Sequence, residues 1–142
     1  KINKKEKKLA IHSALAGTTN QKYMIAKYNS LKRCHIEFPL IIESPTEKIK
    51  TKDFMKMLYK ILGDLVSLAI KRREVRAGRG KTRGRKYKSS SGLLLITSSK
   101  EDIGVQGINV KKISEISIRD LYPLGRMVMF TEKSLEELPW SF

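Results

Sequence analysis

A chain of 142 residues is about one domain long, and at 40% hydrophobic it can bury one modest core. Thirty Lys and Arg against 14 Asp and Glu give a formal net charge of +16, which sets a compact domain against itself unless a polyanion is near. A single cysteine, Cys34, excludes an internal disulfide and fits a reducing compartment, and no run of 18 apolar residues is present to span a membrane. The sequence opens on Lys1, not Met, with no apolar signal core behind its first charges, so more polypeptide is expected ahead of Lys1.

Residues 1–8 hold five lysines, Lys1, Lys4, Lys5, Lys7 and Lys8, against one acid, Glu6. A helix is predicted from Asn3 as N-cap through Leu9, Ile11, Ala14, Leu15 and Ala16, with Gly17 as its stop. Leu9 and Ile11 do not share a face, which leaves the apolar stripe open. A second helix is predicted over 20–28, with Tyr23, Met24 and Ala26 partly buried. Residues 29–38 read as a connection. Pro39 then leads Leu40, Ile41 and Ile42, apolar on both faces as a central parallel strand would be, and Pro45 ends the run. From Thr51 or Lys52 an amphipathic helix sets Phe54, Met55, Leu58, Ile61 and Leu62 at spacings of three and four. Gly63 interrupts it, and Asp64 is placed to cap a further piece with Leu65, Leu68 and Ala69.

After the charged stretch described below, residues 93–97 form a second apolar strand and 98–107 a turn or short helix. Val110 and Ile113 mark another strand. Ser117 caps a short helix over 118–122 that Pro123 ends, residues 127–130 are a further strand, and Thr131 caps a last helix with Leu135 and Leu138 facing inward. Met55, Met57, Met127 and Met129 read as core filler. Short apolar strands alternating with helices predict an α/β, three-layer domain with a mainly parallel sheet flanked by helices, plus a basic Gly/Arg-rich loop. Residues 1–142 are taken as one domain, and the basic segment 71–92 lies within it.

That segment begins KRREVRAGRGKTRGRKYK, residues 71–88. Ten of these 18 residues are basic: Lys71, Arg72, Arg73, Arg76, Arg79, Lys81, Arg83, Arg85, Lys86 and Lys88. Glu74 is the only acid, so the stretch supplies +9 of the chain's +16. Arginine forks bind phosphate oxygens two at a time, and lysine adds point charges. Gly78, Gly80 and Gly84 let the backbone lie close to a phosphate chain. Such a segment cannot bury itself in its own protein, and it is expected to be disordered alone and ordered by a folded polyanion. Tyr87 is placed either to stack on a base or to pack on the protein. The plainer alternatives for the segment are a solvated charge run or a nuclear-import signal.

Catalytic patterns fail on their spacing. Gly78 to Thr82, GRGKT, resembles the end of a phosphate-binding loop, but Val75 stands where the first glycine belongs, and arginines replace the flanking strand and helix. Glu101 with Asp102, and Glu136 with Glu137, read as solvated acids near helix starts. His12 lacks an evident nucleophile partner, and Cys34 with His35 supplies half a zinc set, so neither a catalytic set nor a metal site is expected. A polybasic membrane protein would need an apolar anchor beside the charges, and none is visible. An α/β enzyme acting on nucleic acid, with basic residues steering its substrate, stands as the alternative. It would need clustered acids for metal ions.

Three blocks bring the chain close to a known family. KINKKEKKLAIHSALAGT, residues 1–18, resembles a basic entry into a Ser-Ala-Leu-Ala helix. VRAGRGKTRGRKYK, residues 75–88, followed by Gly92 and an apolar strand, is similar to an Arg-Ala-Gly-Lys-Gly-Lys segment with the same sequel. Residues 108–138 echo a strand, a short helix, a Gly-Arg strand and a Thr-Glu-Ser helix, and FPLIIE at 38–43 matches a proline-led strand. The family is large-subunit ribosomal protein four, of the archaeal and eukaryotic type, and the likeness runs nearly the whole chain in order. Departures are local. Ser89, Ser90 and Ser91 stand before Gly92 where the family commonly has Arg-Arg-Gly, residues 98–107 are short, and the loop before the Gly-Arg strand is trimmed to Pro123-Leu124-Gly125-Arg126. The eukaryotic C-terminal extension does not follow Phe142.

The resemblance implies a structural constituent of the large ribosomal subunit that binds and stabilises its RNA and supports assembly and translation. Its partners would be large-subunit ribosomal RNA and neighbouring ribosomal proteins, with no membrane, small-molecule substrate, cofactor or homo-oligomer. Its place would be the cytoplasmic ribosome, with nuclear or nucleolar assembly if eukaryotic. It also implies that the first part of the domain, with a loop reaching the peptide exit tunnel, precedes Lys1. RNA contacts are expected from Arg72, Arg73, Arg76, Arg79, Lys81, Arg83, Arg85, Lys86 and Lys88, joined by Lys4, Lys5, Lys7 and Lys8 as the other end of one footprint.

Overall fold

A computed structural model describes residues 2–28, 31, 36, 38–45 and 49–138. Its centre is a four-stranded sheet in the order β1-β6-β4-β5, every neighbouring pair parallel: β1 is Leu40–Ile42, β4 Leu94–Thr97, β5 Asn109–Lys112 and β6 Val128–Thr131. The two inner strands are buried throughout, and alternation sends their side chains to opposite faces. Leu95 and Met129, with Leu93 and Met127 just ahead of their strands, join Met24, Phe54, Leu58, Leu62 and Val66 on one side. Leu94, Ile96, Val128 and Phe130 join Ala14, Leu15, Ile116, Leu121 and Leu138 on the other. Helices α2 (Gln21–Lys27), α3 (Thr51–Leu62) and α4 (Val66–Ala69) supply the first layer, and α1 (Lys4–Ala16), α5 (Ile118–Leu121) and α6 (Glu132–Glu136) the second. The predicted three-layer architecture with a mainly parallel sheet is the one observed.

Several local expectations are corrected. β1 is an edge strand, not a central one, and its Ile41 is 61% exposed. An apolar run of three does not say how many neighbours flank it. In α2 the inward residues are Met24 and Ile25, while Tyr23 and Ala26 are exposed. α1 does end at Gly17 as expected, and Gly17 stays right-handed at φ −62° and leads into a 3-10 turn over Gly17–Thr19. A Cβ there would lie 2.9 Å from Leu124 Cδ2, the far end of a side chain that can move aside. Asp64 does not cap α4, and Ile113 lies in a 3-10 turn after β5, while residues 98–107 take the turn and not the short helix of the two alternatives.

α1 also settles which residues face inward. Ile11, Ala14 and Leu15 pack on the sheet, and Leu9 is 65% exposed. Residues 2–10 are all exposed, so the first two turns overhang the domain.

At the carboxyl end of the sheet the acids read as solvated turn out to be structural. Glu101 is buried, and its Oε2 accepts from the Thr131 hydroxyl at 2.6 Å and from the Ser98 N–H at 3.0 Å. Thr131 therefore spends its hydroxyl on Glu101 and does not cap α6. Glu137 accepts from the Ser98 hydroxyl and the Ser99 N–H, so β4, β6 and α6 meet at one hydrogen-bonded knot. Burial pushes the Glu101 carboxyl up, but donation from Thr131, Ser44 and Ser98, with Lys133 nearby, outweighs it and leaves the pKa below its ordinary value. A carboxylate with a depressed folded-state pKa contributes stability that is complete above its unfolded value of about 4.3 and lost as pH falls through the folded value.

Glu101→Gln is therefore expected to cost about 1.5–3 kcal/mol at pH 7, the scale of buried hydrogen bonds to a charged group. In urea unfolding followed by circular dichroism, the gap between variant and parent should close as the pH falls below about 4. A gap that is the same at pH 7 and pH 3 would show that the charge does not contribute.

Candidate nucleic-acid interface

Between α4 and β4 the basic segment is not the irregular loop expected from its composition. β2 (Arg73–Val75) pairs antiparallel with β3 (Tyr87–Ser89), matching Arg73 with Ser89, Glu74 with Lys88 and Val75 with Tyr87. The pairing continues outward, where the Arg76 N–H donates to Lys86 O at 2.8 Å. The tip is a 3-10 turn over Arg79–Lys81, closed by the Arg85 and Arg83 N–H groups donating to Gly80 O at 3.1 and 3.3 Å. Gly78 and Gly84 flank the turn at φ +76° and +72°, a left-handed backbone that a side chain resists. The GRGKT stretch is thus the tip of a ribbon, followed by another turn and not by a helix.

The ribbon carries all ten cations of residues 71–88 in exposed positions. Alternation gives it two faces. On one, Tyr87 lies beside Val75, and the Arg73 guanidinium stacks 3.8 Å from the centre of its ring, with Lys86 Nζ at 5.6 Å. Tyr87 thus packs on its own ribbon while remaining 42% exposed. On the other, Lys88 pairs with Glu74 at 3.3 Å, and both side chains are more than half exposed. Such an exposed pair contributes little. Arg76 Nε donates to Tyr87 O at 3.2 Å. Among the described residues, Arg79, Lys81, Arg83 and Arg85 form no ion pair, so the tip holds the least neutralised charge.

The root of the ribbon is fastened to the amino end of the sheet. Arg126, only 3% exposed, donates from Nη2 to Ser91 O at 2.6 Å, from Nε to Gly92 O at 3.1 Å and from Nη1 to Asp120 O at 2.6 Å. Burial pulls its pKa down, and Tyr28 and Asp120 push it back. Asp120 is itself held low by the Ser117 hydroxyl and N–H, with Lys111 and Arg126 adding to the effect, against the cost of burial. The Leu93 N–H donates to Ala69 O and the Lys71 N–H to Gly107 O, while Lys71 Nζ reaches Asn109. Gly92 is at φ +59°, where a Cβ would meet Ala69 O at 2.6 Å. Both legs of the ribbon therefore leave the domain from fixed points.

The structure gathers Arg72, Arg73, Arg76, Arg79, Lys81, Arg83, Arg85, Lys86 and Lys88 on this one ribbon, but not Lys4, Lys5, Lys7 and Lys8. Those four sit on the first two turns of α1, whose C-cap residue Gly17 lies close to Leu124, two positions before Arg126. Thirteen residues of helix separate Lys4 from Gly17, roughly 20 Å at 1.5 Å per residue. Sequence reasoning also passed over Lys27, on α2. Its Nζ lies 3.5 Å from Pro123 O and 5.3 Å from the Tyr28 ring centre. Nothing in its neighbours along the chain marks it.

Among the described residues no group of three or more His, Cys, Asp or Glu is placed to hold a metal, and no helix is long and apolar enough to cross a membrane. Cys34 and His35 lie outside the described residues.

Comparison with known proteins covers nearly the whole chain. The sequence model of the Ribosomal protein L4/L1 family matches residues 1–139. Large ribosomal subunit protein uL4 of Methanosphaera stadtmanae is 32% identical over 97% of this chain and 57% of its own length. The protein of the same name from Halorubrum lacusprofundi is 33% identical over 96% of the chain and 58% of its own length, and that from Saccharolobus islandicus 32% over 96% and 55%. The chain thus spans somewhat more than half the length of these curated relatives. On a match that runs from the basic first helix through the ribbon to the final helix, this chain belongs to the ribosomal protein L4/L1 family.

Proposed function

We propose that the chain is a structural constituent of the large ribosomal subunit, not an enzyme, and that it holds ribosomal RNA by its phosphate backbone. The observation that carries this reading is the ribbon: ten exposed cations with one acid, on a pair of strands rooted in a rigid domain. Family membership names the assembly, and the ribbon supplies the chemistry. Phosphate contacts position a protein on RNA through charge and shape, which suits a role without turnover. Arg79, Lys81, Arg83 and Arg85 at the tip, with Arg76 and Lys86 beside them, carry most of the contact. Arg72, Arg73 and Lys88 add to it from the strands, and Lys4, Lys5, Lys7 and Lys8 form a separate basic surface. Neighbouring ribosomal proteins complete its surroundings on cytoplasmic ribosomes, where its RNA contacts support subunit assembly and translation.

Binding to large-subunit ribosomal RNA fragments, measured against salt, tests this. Each phosphate contact contributes about 0.7–0.9 to the slope of log affinity on log salt. Changing Arg76, Arg79, Lys81, Arg83 and Arg85 together to Ala should flatten the slope by about 3.5–4.5 units. A slope that does not change places the ribbon outside the footprint and contradicts the proposal.

A further inference from the structure

A cleft of about 570 Å³ opens between the ribbon root and the helices beneath it, lined by Lys27 and Tyr28 from the end of α2, Ser67 and Leu68 from α4, and Arg72 and residues 88–92 from the ribbon. Its charges are unbalanced. Glu74 is the only acid on the wall, and Lys88, also on the wall, already pairs with it at 3.3 Å. Lys27 and Arg72 remain, with Arg126 behind Ser91 and Gly92 as a third positive charge. Ser89, Ser90 and Ser91 line the same wall, where the Ser90 hydroxyl accepts from the Arg72 N–H at 3.4 Å and the Ser91 hydroxyl bonds to the Tyr28 side chain. Lys27 is half-buried, and burial, with the nearby Arg126 adding to it, holds its pKa down. Leu68 and the Tyr28 ring add an apolar flank. The volume is within the range of small-ligand clefts, well beyond a single water.

We infer that this cleft seats a phosphate of the RNA strand that the ribbon binds, held by Lys27 and Arg72 with the hydroxyls of Ser89 and Ser90 as neutral donors. The inference rests on the proposed function and extends its footprint from the ribbon surface to the domain body. It also gives these serines a role: where charge is missing from the chain at 89–91, a lysine from a different layer supplies it, and hydroxyls supply direction. A strand following the ribbon toward its root would pass from the exposed tip into this cleft.

The test uses the full chain and the same RNA fragments. Lys27→Met keeps the stem and removes the charge. It should lower the salt slope by about 0.7–0.9 and weaken binding, with the melting temperature unchanged or raised because a cation beside Arg126 is gone. The five-residue ribbon variant run alongside separates the two claims. If Lys27→Met binds like the parent while the ribbon variant fails, the cleft is empty and the function stands. If neither variant changes binding, both fall. A second measurement needs no substitution: acylation of Lys27 by acetic anhydride, read by mass spectrometry, should be blocked by RNA. It should not be blocked by adenosine monophosphate at the same nucleotide concentration. Equal protection by the mononucleotide, or reaction undiminished by RNA, overturns the assignment to an RNA strand.

Discussion

Everything on the basic side of this molecule depends on one buried guanidinium. Arg126 reaches three main-chain carbonyls, two on the ribbon's returning leg and one at α5, at 2.6 to 3.1 Å. A lysine has no fixed fork to span carbonyls on two separate elements. Burying the charge is costly, and three hydrogen bonds with Asp120 nearby offset that cost. The gain is positional. A two-stranded ribbon is marginal in water by itself, and this one is tied to the amino end of a sheet whose inner strands are fully buried. Gly92, which has no room for a side chain, holds the adjoining turn.

Rigidity at the root makes sense of the charge at the tip. Paired strands lie about 4.8 Å apart, inside the screening length of about 8 Å at physiological salt. Cations on the ribbon therefore repel one another, and Glu74 is the one acid among them. A polyanion relieves that repulsion by replacing it with attraction. The inner strands, by contrast, are covered: helices from this chain pack on both faces of β4 and β6. The architecture separates an αβα body from an extension that its own charge leaves unsatisfied.

Much of the body was legible because burial on both faces leaves a plain mark, continuous apolar runs at 93–96 and 127–130. The neighbours of a strand leave no such mark, so Leu40, Ile41 and Ile42 read as central although β1 lies at the edge. The ribbon was hidden for a related reason. Its strands are three residues each, half of them charged, and carry no apolar alternation. Only Val75 opposite Tyr87 and Glu74 opposite Lys88 betray the pairing, and neither is visible until the register is known. The cations themselves were found by counting. What counting could not supply was their geometry: that the α1 lysines stand apart, that Glu101 is buried, and that Lys27 meets residues 88–92 across some sixty positions of chain.

The central claim is that the ribbon is formed by the protein and offered to RNA, not shaped by it. Nuclear Overhauser contacts in the free chain test this most directly. The account predicts cross-strand contacts between Val75 and Tyr87 and between Arg73 and Ser89 without any nucleic acid present. Random-coil shifts through residues 72–90, with no cross-strand contact until RNA is added, would contradict it and return the segment to the disordered loop that its composition suggests.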